Sequence, residues 1–529
     1  MNRLFGGAKT GIKPVKGKVT IIQVKGEKKA TPLPSVSKAR QQASKGSQQS
    51  RGSSARPSSS TNSRPPSSAS TSPGTSATPY TDTQEPSAYL GVSKRKASRQ
   101  LTPSNSEHYI PLMNDDSDSG NSSNSELIND TKYFKRQRRE QDVDTRRRLR
   151  SRKAFSDELG PEFPMIHAAD LATKSGGAHP ATASSQTVTV ELRYPSASQR
   201  ERFYLDCGKD KIDSFEEIVD VARIVRDVYL TTHQATIFKK SDSGVIRRLV
   251  KAKNAITSQT NPKLDPNLLE NFKCAVKFYN RNMKSLLEAG TLATNLDNMH
   301  HLPLKMIQFI MQQVYDRAVS PNVELLGKYK PASDETYGEL LSPFVDRVLQ
   351  QCNLKFDQVF VDLGSGVGNV VLQAALEFGC ESWGCEMMPN ACELARKQAA
   401  EFKARCRLWG LAPGEVHLEE GSFFENKAIG IALKKADIVL VNNFKFDPET
   451  NDALRLLFLD LKDGCYIISL KSFAVGNDRN PEDPANLIQN IDGGNFGFGD
   501  VSWTGNYGPY YIATKDEAHL ARMRAANKR

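Results

Sequence analysis

The stretch of this chain best suited to chemistry runs Asp362-Leu363-Gly364-Ser365-Gly366-Val367-Gly368-Asn369. Phe360 and Val361 lead into it with the β-branched and aromatic character of a buried strand. From Val370 the apolar residues Val371, Leu372, Ala375 and Leu376 recur at helical spacing. A strand, a glycine turn and a helix in that order bring backbone close to a bound group, where a Cβ would collide. The helix start also offers unpaired N–H groups and a positive dipole end to an anion.

Three further stretches carry groups that suit the same ligand. Glu386 lies 22 residues beyond Gly364, where a carboxylate can accept hydrogen bonds from ribose hydroxyls. Asp362 can face an ammonium. Ser422 and Phe423 offer an apolar slot with a polar edge, which an adenine needs. Tyr337-Gly338-Glu339-Leu340 falls just before a helix at Ser342–Gln350 and reads as a loop covering the cofactor. The glycines are spaced G-x-G-x-G rather than G-x-G-x-x-G, which favours S-adenosyl-L-methionine over a nicotinamide dinucleotide.

The elements that must position these groups alternate as in a doubly wound, mostly parallel α/β sheet. After the first strand, the pattern predicts strands at Glu381–Glu386, Glu415–Glu420, Ala436–Val441 and Gly464–Leu470. The fourth runs into Asn442-Asn443-Phe444. Val501–Thr504 and Tyr510–Thr514, joined through a glycine turn, read as a terminal antiparallel hairpin. That ending departs from a dinucleotide-binding domain and matches a class I methyltransferase. In front, Thr187–Tyr194 alternates as a strand, and helices are expected behind Ser214, at Asn267–Glu288 and at Pro303–Ser320. Ser214 with Glu217 has the spacing of a capping box. The organisation expected is a disordered basic arm over 1–185, a mainly helical part over 186–320, a cofactor-binding core over 321–515, and a short basic tail over 516–529.

Charge is divided unevenly along the 529 residues. Residues 1–185 hold 30 Lys and Arg against 16 Asp and Glu, or +14; the rest hold 42 against 44, or −2. A cationic arm on a nearly neutral body implies a polyanionic partner, with nucleic acid first among them. Pro32–Pro103 is dominated by Ser, Pro, Thr, Gln and Gly and cannot bury enough apolar surface to order itself. Lys18–Val24 has strand character. Lys132–Lys153 carries eleven basic residues in two clusters, as a nuclear import signal or a phosphate-binding arm does. The eight cysteines have no zinc spacing, no metal is expected, and no apolar run reaches a membrane span. A soluble intracellular protein is the expectation.

The motifs DETYGEL, VFVDLGSGVGNVVLQ, VNNFKF, IISLKSF and SWTG…YY, in this order around Glu386, resemble the Dot-type (disruptor of telomeric silencing) histone H3 lysine methyltransferases. The resemblance covers about Glu324–Thr514, and the arm-then-enzyme order is similar to the fungal branch. It implies methylation of one lysine in the globular core of histone H3, position seventy-nine, on intact nucleosomes in the nucleus. Roles in chromatin regulation, telomeric silencing and the DNA-damage response follow from the same likeness. So do contacts to ubiquitylated histone H2B and the histone H4 tail. The cofactor would lie against Tyr337, Gly338, Glu339 and Leu340, against Phe360–Asn369, and against Glu386, Ser422 and Phe423. Asn442, Phe444, Trp503 and Tyr510 would border the channel for the target lysine. Ser422 stands where part of the family has an acid.

Nothing in the motifs looks like a strong general base, so Asn442 and Tyr510 are expected to orient the amine. By pleat alternation, one of Tyr510 and Tyr511 should enter the core and the other face the site. Two other functions fit parts of the sequence. A DNA or RNA amino-methyltransferase would carry a proline-rich turn after the fourth strand, and Asn442-Asn443-Phe444 has no proline. A chromatin-binding protein with a vestigial pocket would not need Asp362, the three glycines and Glu386.

Overall fold

The computed structural model describes residues 144–155, 164–174, 189–196, 199–205, 212–239, 243–259, 265–328, 338–474 and 484–527. Tyr337, the segment Lys18–Val24, the Ser/Pro-rich stretch and the first basic cluster lie outside them.

Among the described residues seven strands form the central sheet: β3 (Val359–Leu363), β4 (Glu381–Glu386), β5 (Val416–Glu420), β6 (Ile438–Val441), β7 (Tyr466–Ser469), β8 (Ile488–Phe496) and β9 (Gly508–Lys515). Their order is β5-β4-β3-β6-β7-β9-β8. β3 pairs in parallel with β4 on one side and β6 on the other, while β9 runs antiparallel to both β7 and β8. The chain reverses its winding at β3, so a crevice opens at that strand's carboxyl end. Helices α8 (Ser342–Gln351), α9 (Asn369–Glu377) and α10 (Pro389–Trp409) follow the expected pattern, as do α11 (Lys427–Lys435) and α12 (Pro448–Phe458). Phe360, Leu440, Ile468 and Ile512 face α8 and α9. Val361, Leu363, Val439 and Ile467 face α11 and α12. The near-continuous apolar runs of these strands are those of a sheet covered on both faces.

The terminal hairpin differs from the expected one. Its first strand is β8, and Val501 makes only an isolated bridge to Leu340. β8 is an edge strand, exposed at most positions and interrupted by Gly493 and Gly494, so it carries no alternating apolar signal. Backbone pairing to β9 defines it.

The helical part comprises α1 (Ala168–Lys174), α2 (Ser214–Ile224), α3 (Thr236–Lys239), α4 (Val245–Thr257), α5 (Pro266–Glu288), α6 (Thr291–Asp297) and α7 (Leu304–Ala318), with a small antiparallel pair, β1 (Thr189–Leu192) and β2 (Glu201–Tyr204). The capping box is not formed. Asp213 caps α2 by accepting from Phe215 and Glu216 N–H, and Glu217 is turned inward. There Glu217 and Glu201 meet Arg317 of α7, and Glu201 also takes Arg405 of α10, all fully or nearly fully buried. A side chain that must answer a buried guanidinium is not available to a helix end.

Order begins earlier than the expected boundary at 186. Residues 144–155 form a strap across the carboxyl ends of α9 and α10. Leu149 is buried, Ser151 N–H donates to Gly410 O, and Ala412 N–H donates to Leu149 O. Arg147 is buried and donates to the carbonyls of Leu376 and Glu377, the orphan acceptors at the end of α9. Arg146 pairs with Asp144 and Asp357, and Arg150 with Asp297. Composition hides this because the strap's arginines serve as internal donors. At the other end, α13 (Glu517–Asn527) occupies the basic tail and buries Leu520.

Candidate functional site

The cleft at the carboxyl end of β3 encloses about 110 Å3. Its walls are Gly338–Leu340, Asp362, the Gly364–Val367 turn with Asn369 and Val370, Glu386–Met388, Phe423, Leu440, Asn442 and Phe446.

The turn is held in the shape that glycine permits. Gly364, Gly366 and Gly368 have φ of +87°, +55° and +87°. The loop also lies flat on β4 because residue 384 is glycine: a Cβ there would come within 2.7 Å of Ser365 Oγ and 2.8 Å of Val371 Cγ2. Glu386, at the end of β4, accepts Gly366 N–H at 2.9 Å and Met388 N–H at 2.8 Å, one on each carboxylate oxygen. Each oxygen keeps capacity for a further donor.

Asp362 is 3% exposed at the end of β3. Burial, with the charge of Glu386 added, pushes its carboxyl up to about 8. Burial raises Glu386 as well, against the backbone N–H groups that favour its ionised form. Among the described residues no cation answers Asp362. Two buried acids facing one cleft without a cation suit a ligand that brings its own positive charge.

On the other side, Phe423 and Phe446 stand 6.4 Å apart at 29°, two near-parallel rings on the cleft wall. Ser422 does not line the cleft; its Oγ accepts Phe424 N–H at 3.3 Å and shapes the turn. Phe360, Val361 and Leu363 lie in β3 beneath the floor, buried, and Gly368 is the left-handed residue that starts α9.

Of the four expected channel residues, Asn442 lines the cleft, Trp503 meets its wall at Gly338, and Phe444 stands behind Trp503. Asn442 Nδ2 donates to Gly338 O at 3.2 Å, and Gly338 lies so close to Trp503 that a Cβ would reach its ring at 2.8 Å. Trp503 in turn stands 5.6 Å from Phe444. Backbone bonds between Leu341 and Asp500, and between Ser502 and Glu339, hold these two loops side by side. Tyr510 is the exception. It is 4% exposed, packs on Phe344 of α8 and donates its hydroxyl to Gln351 Oε1 at 2.8 Å. The pleat turns it into the layer under α8, and it is absent from the cleft wall.

Sequence reasoning missed Phe446, Met387 and Met388 as wall residues and Asn443 as the support beside Asn442. Asn443 is buried, accepts from Leu470 and Lys471 N–H, and donates to Asn451 Oδ1 and Lys471 O. It ties the end of β6 to the end of β7 and so aims Asn442. The doubled asparagine and the second aromatic of VNNFKF were the available signal.

The sheet order, the glycine turn and the acids at the ends of β3 and β4 define a class I S-adenosylmethionine-dependent methyltransferase. Within that class the chain belongs to the DOT1 histone methylation family. The family "Histone methylation protein DOT1" matches residues 315–515. A protein of Gibberella zeae is 48% identical over 377 residues, covering 70% of this chain and 74% of the relative. One of Chaetomium globosum is 45% identical over 383 residues, covering 72% and 73%. Both bear the name histone-lysine N-methyltransferase, H3 lysine-79 specific. Among solved structures, an RNA methyltransferase from Salinibacter ruber in complex with S-adenosyl-L-homocysteine is 24% identical over 33% of this chain and 92% of its own, at a TM-score of 0.23.

Proposed function

We propose that this protein transfers a methyl group from S-adenosylmethionine to lysine 79 of histone H3, on nucleosomes in the nucleus. The observation that carries the reading is the intact acid-and-glycine cleft inside the family-matched region, in a chain 48% identical to a relative of that name.

The residues present fit the cofactor. Asp362 would face its cationic amino-acid end, Glu386 the ribose hydroxyls, and Phe423 with Phe446 the adenine. Bound there, S-adenosylmethionine supplies an electrophilic sulfonium methyl. The chain's part is to deliver a neutral amine in line with that methyl, at roughly 3–3.5 Å. Free lysine has a pKa of about 10.4, so its proton must be lost first. Aromatic walls from Phe444 and Trp503 disfavour the ammonium and lower that value. Asn442, fixed through Gly338 and supported by Asn443, supplies a polar contact that orients the nitrogen. Tyr510 backs this wall from the core.

Nucleosome contacts form the finer part of the reading. DNA is engaged by the basic arm, and ubiquitylated histone H2B and the histone H4 tail are further partners. Because Arg146, Arg147 and Arg150 are committed to the strap, the arm's share of DNA contact falls to the first cluster and to the exposed Arg148 and Arg152. The test is methyl transfer from labelled cofactor to nucleosomes, free core histones and naked DNA, with Gly364→Arg as control. Label on histone H3 in nucleosomes, lost in the control, supports the reading. Label on DNA replaces it with a base methyltransferase; cofactor binding without transfer to any substrate points to a missing partner, and loss of both transfer and cofactor binding argues for a chromatin-binding protein with a vestigial pocket.

A further inference from the structure

The helical part carries a cationic face that neither the cleft nor its supports use. α4 and α5 pack against each other. α4 contains Arg247, Arg248, Lys251 and Lys253 and no acid; α5 contains Lys273, Lys277, Arg281 and Lys284 against Glu270 and Glu288. Eight cations less two acids leave +6 on two helices. Residues 186–529 together sum to −2, so the rest of that body sums to −8. This is a polarised surface, not an evenly solvated one.

Spacing puts the charges in rows. At about 100° per residue, Lys273, Lys277, Arg281 and Lys284 fall on one side of α5, along about 16 Å of helix. Lys277, Arg281 and Lys284 are exposed there, and so are Arg247, Arg248 and Lys251 on the outer side of α4. The guanidinium of Arg248 lies 4.4 Å over the ring of Phe278, which seats this end of the α4 row on α5. Lys253 is not part of the face, since it turns inward to Glu216 of α2. Glu270 and Glu288 sit near the two ends of α5, at ion-pair distances of 3.4–3.5 Å from neighbouring lysines, and leave its middle cationic.

We propose that this α4–α5 face binds the phosphate backbone of duplex DNA, as a contact separate from the N-terminal arm. A duplex carries a charge about every 1.7 Å of axis, so a row of about 16 Å spans roughly ten phosphates. Phe278 is half-buried beneath Arg248 and Tyr279 is buried, so the face offers no stacking platform for an unpaired strand. It has the composition for backbone contact without base reading. The face also continues toward the strap. α6 packs on α5, and on α6 Asp297 is held low by Arg150, with Arg148 and Arg152 adding to the effect. The inference rests on the nucleosomal reading for its setting, while DNA binding itself is independent of which group is methylated.

The test uses the full chain with Lys251→Gln, Lys277→Gln, Arg281→Gln and Lys284→Gln together, titrated onto a short naked duplex across a salt series. The slope of log affinity against log salt is expected to fall by about 0.9 for each lost phosphate contact, some 3–4 in all. Nucleosome methylation at moderate salt should drop about tenfold or more, with cofactor affinity and melting temperature unchanged. An unchanged salt slope in a folded variant overturns the proposal. A photocrosslinker on Lys277→Cys, with the exposed Cys274 replaced (Cys274→Ser), gives a second readout on nucleosomes. Crosslinks to a DNA strand support the face as a DNA contact; crosslinks to histone alone overturn it in favour of an acidic protein surface. Methylation by the unaltered chain tests the earlier reading separately.

Discussion

Glu386 Oε2 accepts the backbone N–H of Gly366 at 2.9 Å, and this bond joins the end of β4 to the glycine turn after β3. It also brings the two acids of the cleft into one electrostatic unit. Asp362, buried beside Glu386, has its carboxyl pushed up to about 8 by burial and by that neighbour's charge.

Cofactor binding should therefore expel a proton at neutral pH. In the free protein Asp362 is mostly protonated below pH 8, and a cationic ligand favours its carboxylate. Affinity for S-adenosylmethionine is expected to rise with pH toward 8, by at most about tenfold per unit, and to flatten above it. Calorimetry at pH 7 in buffers of different ionisation enthalpy reads the released proton. Asp362→Asn should abolish that release, which separates it from titration of the cofactor's own ammonium. Equal proton release in the variant would show that the proton comes from elsewhere.

Gly384→Ala should damage the site from beneath. The new Cβ meets Ser365 Oγ at 2.7 Å and Val371 Cγ2 at 2.8 Å, so the glycine turn must lift off β4. Overpacking of this kind costs about 1–3 kcal/mol, and the displaced turn should weaken cofactor binding as well. Adding Ser365→Gly removes one of the two clashes and should recover part of both losses. Thermal melting and cofactor titration of the single and double variants decide it.

Much of this arrangement is legible in the sequence because it depends on local signals. Glycines with positive φ, an acid closing a strand and apolar helical periodicity are all written within a few residues, and β3, β4, α9 and the cleft's acids follow from them. What escaped reading depends on distant partners. β8 exists through pairing with β9, Glu217 serves Arg317 instead of capping its own helix, and Arg147 fills the end of a helix 230 positions away in the chain. Tyr510 shows the limit of the pleat argument: alternation says that one of two tyrosines faces inward, but only the place of α8 says which.

Tyr510→Phe and Asn442→Ala should separate wall from contact. The Tyr510 hydroxyl is spent on Gln351, so its removal should cost about 1 kcal/mol of stability and leave kcat within about twofold. Asn442→Ala removes the amide that meets Gly338 O and the group expected to orient the lysine, and a misplacement of 1 Å can cost about a hundredfold in rate. Steady-state kinetics on nucleosomes, with cofactor affinity measured in parallel, should show kcat falling in the second variant and cofactor affinity nearly kept. A large fall in kcat for Tyr510→Phe would return that hydroxyl to the channel.

The buried ion network should set the acid limit of the fold. Burial alone would raise Glu201, but Arg317 and Arg405 outweigh it and hold the carboxyl down to about 2. A carboxylate lowered on folding contributes stability in full above its unfolded pKa of about 4.5, and that contribution fades as the pH falls toward 2. Glu201→Gln keeps the shape but leaves two buried guanidiniums short of a counter-charge, which costs about 3–5 kcal/mol. Urea midpoints of the two proteins should differ widely at pH 7 and converge between pH 4.5 and 2. The effect should reach the cleft as well. Arg405 lies on α10, and that helix begins directly after Met387 and Met388, so loosening its seat on Glu201 should slacken the wall beside Glu386. Cofactor affinity lower in Glu201→Gln, under conditions where the variant is still folded, would establish that the helical part supports the methyltransferase site; unchanged affinity would confine the network to stability.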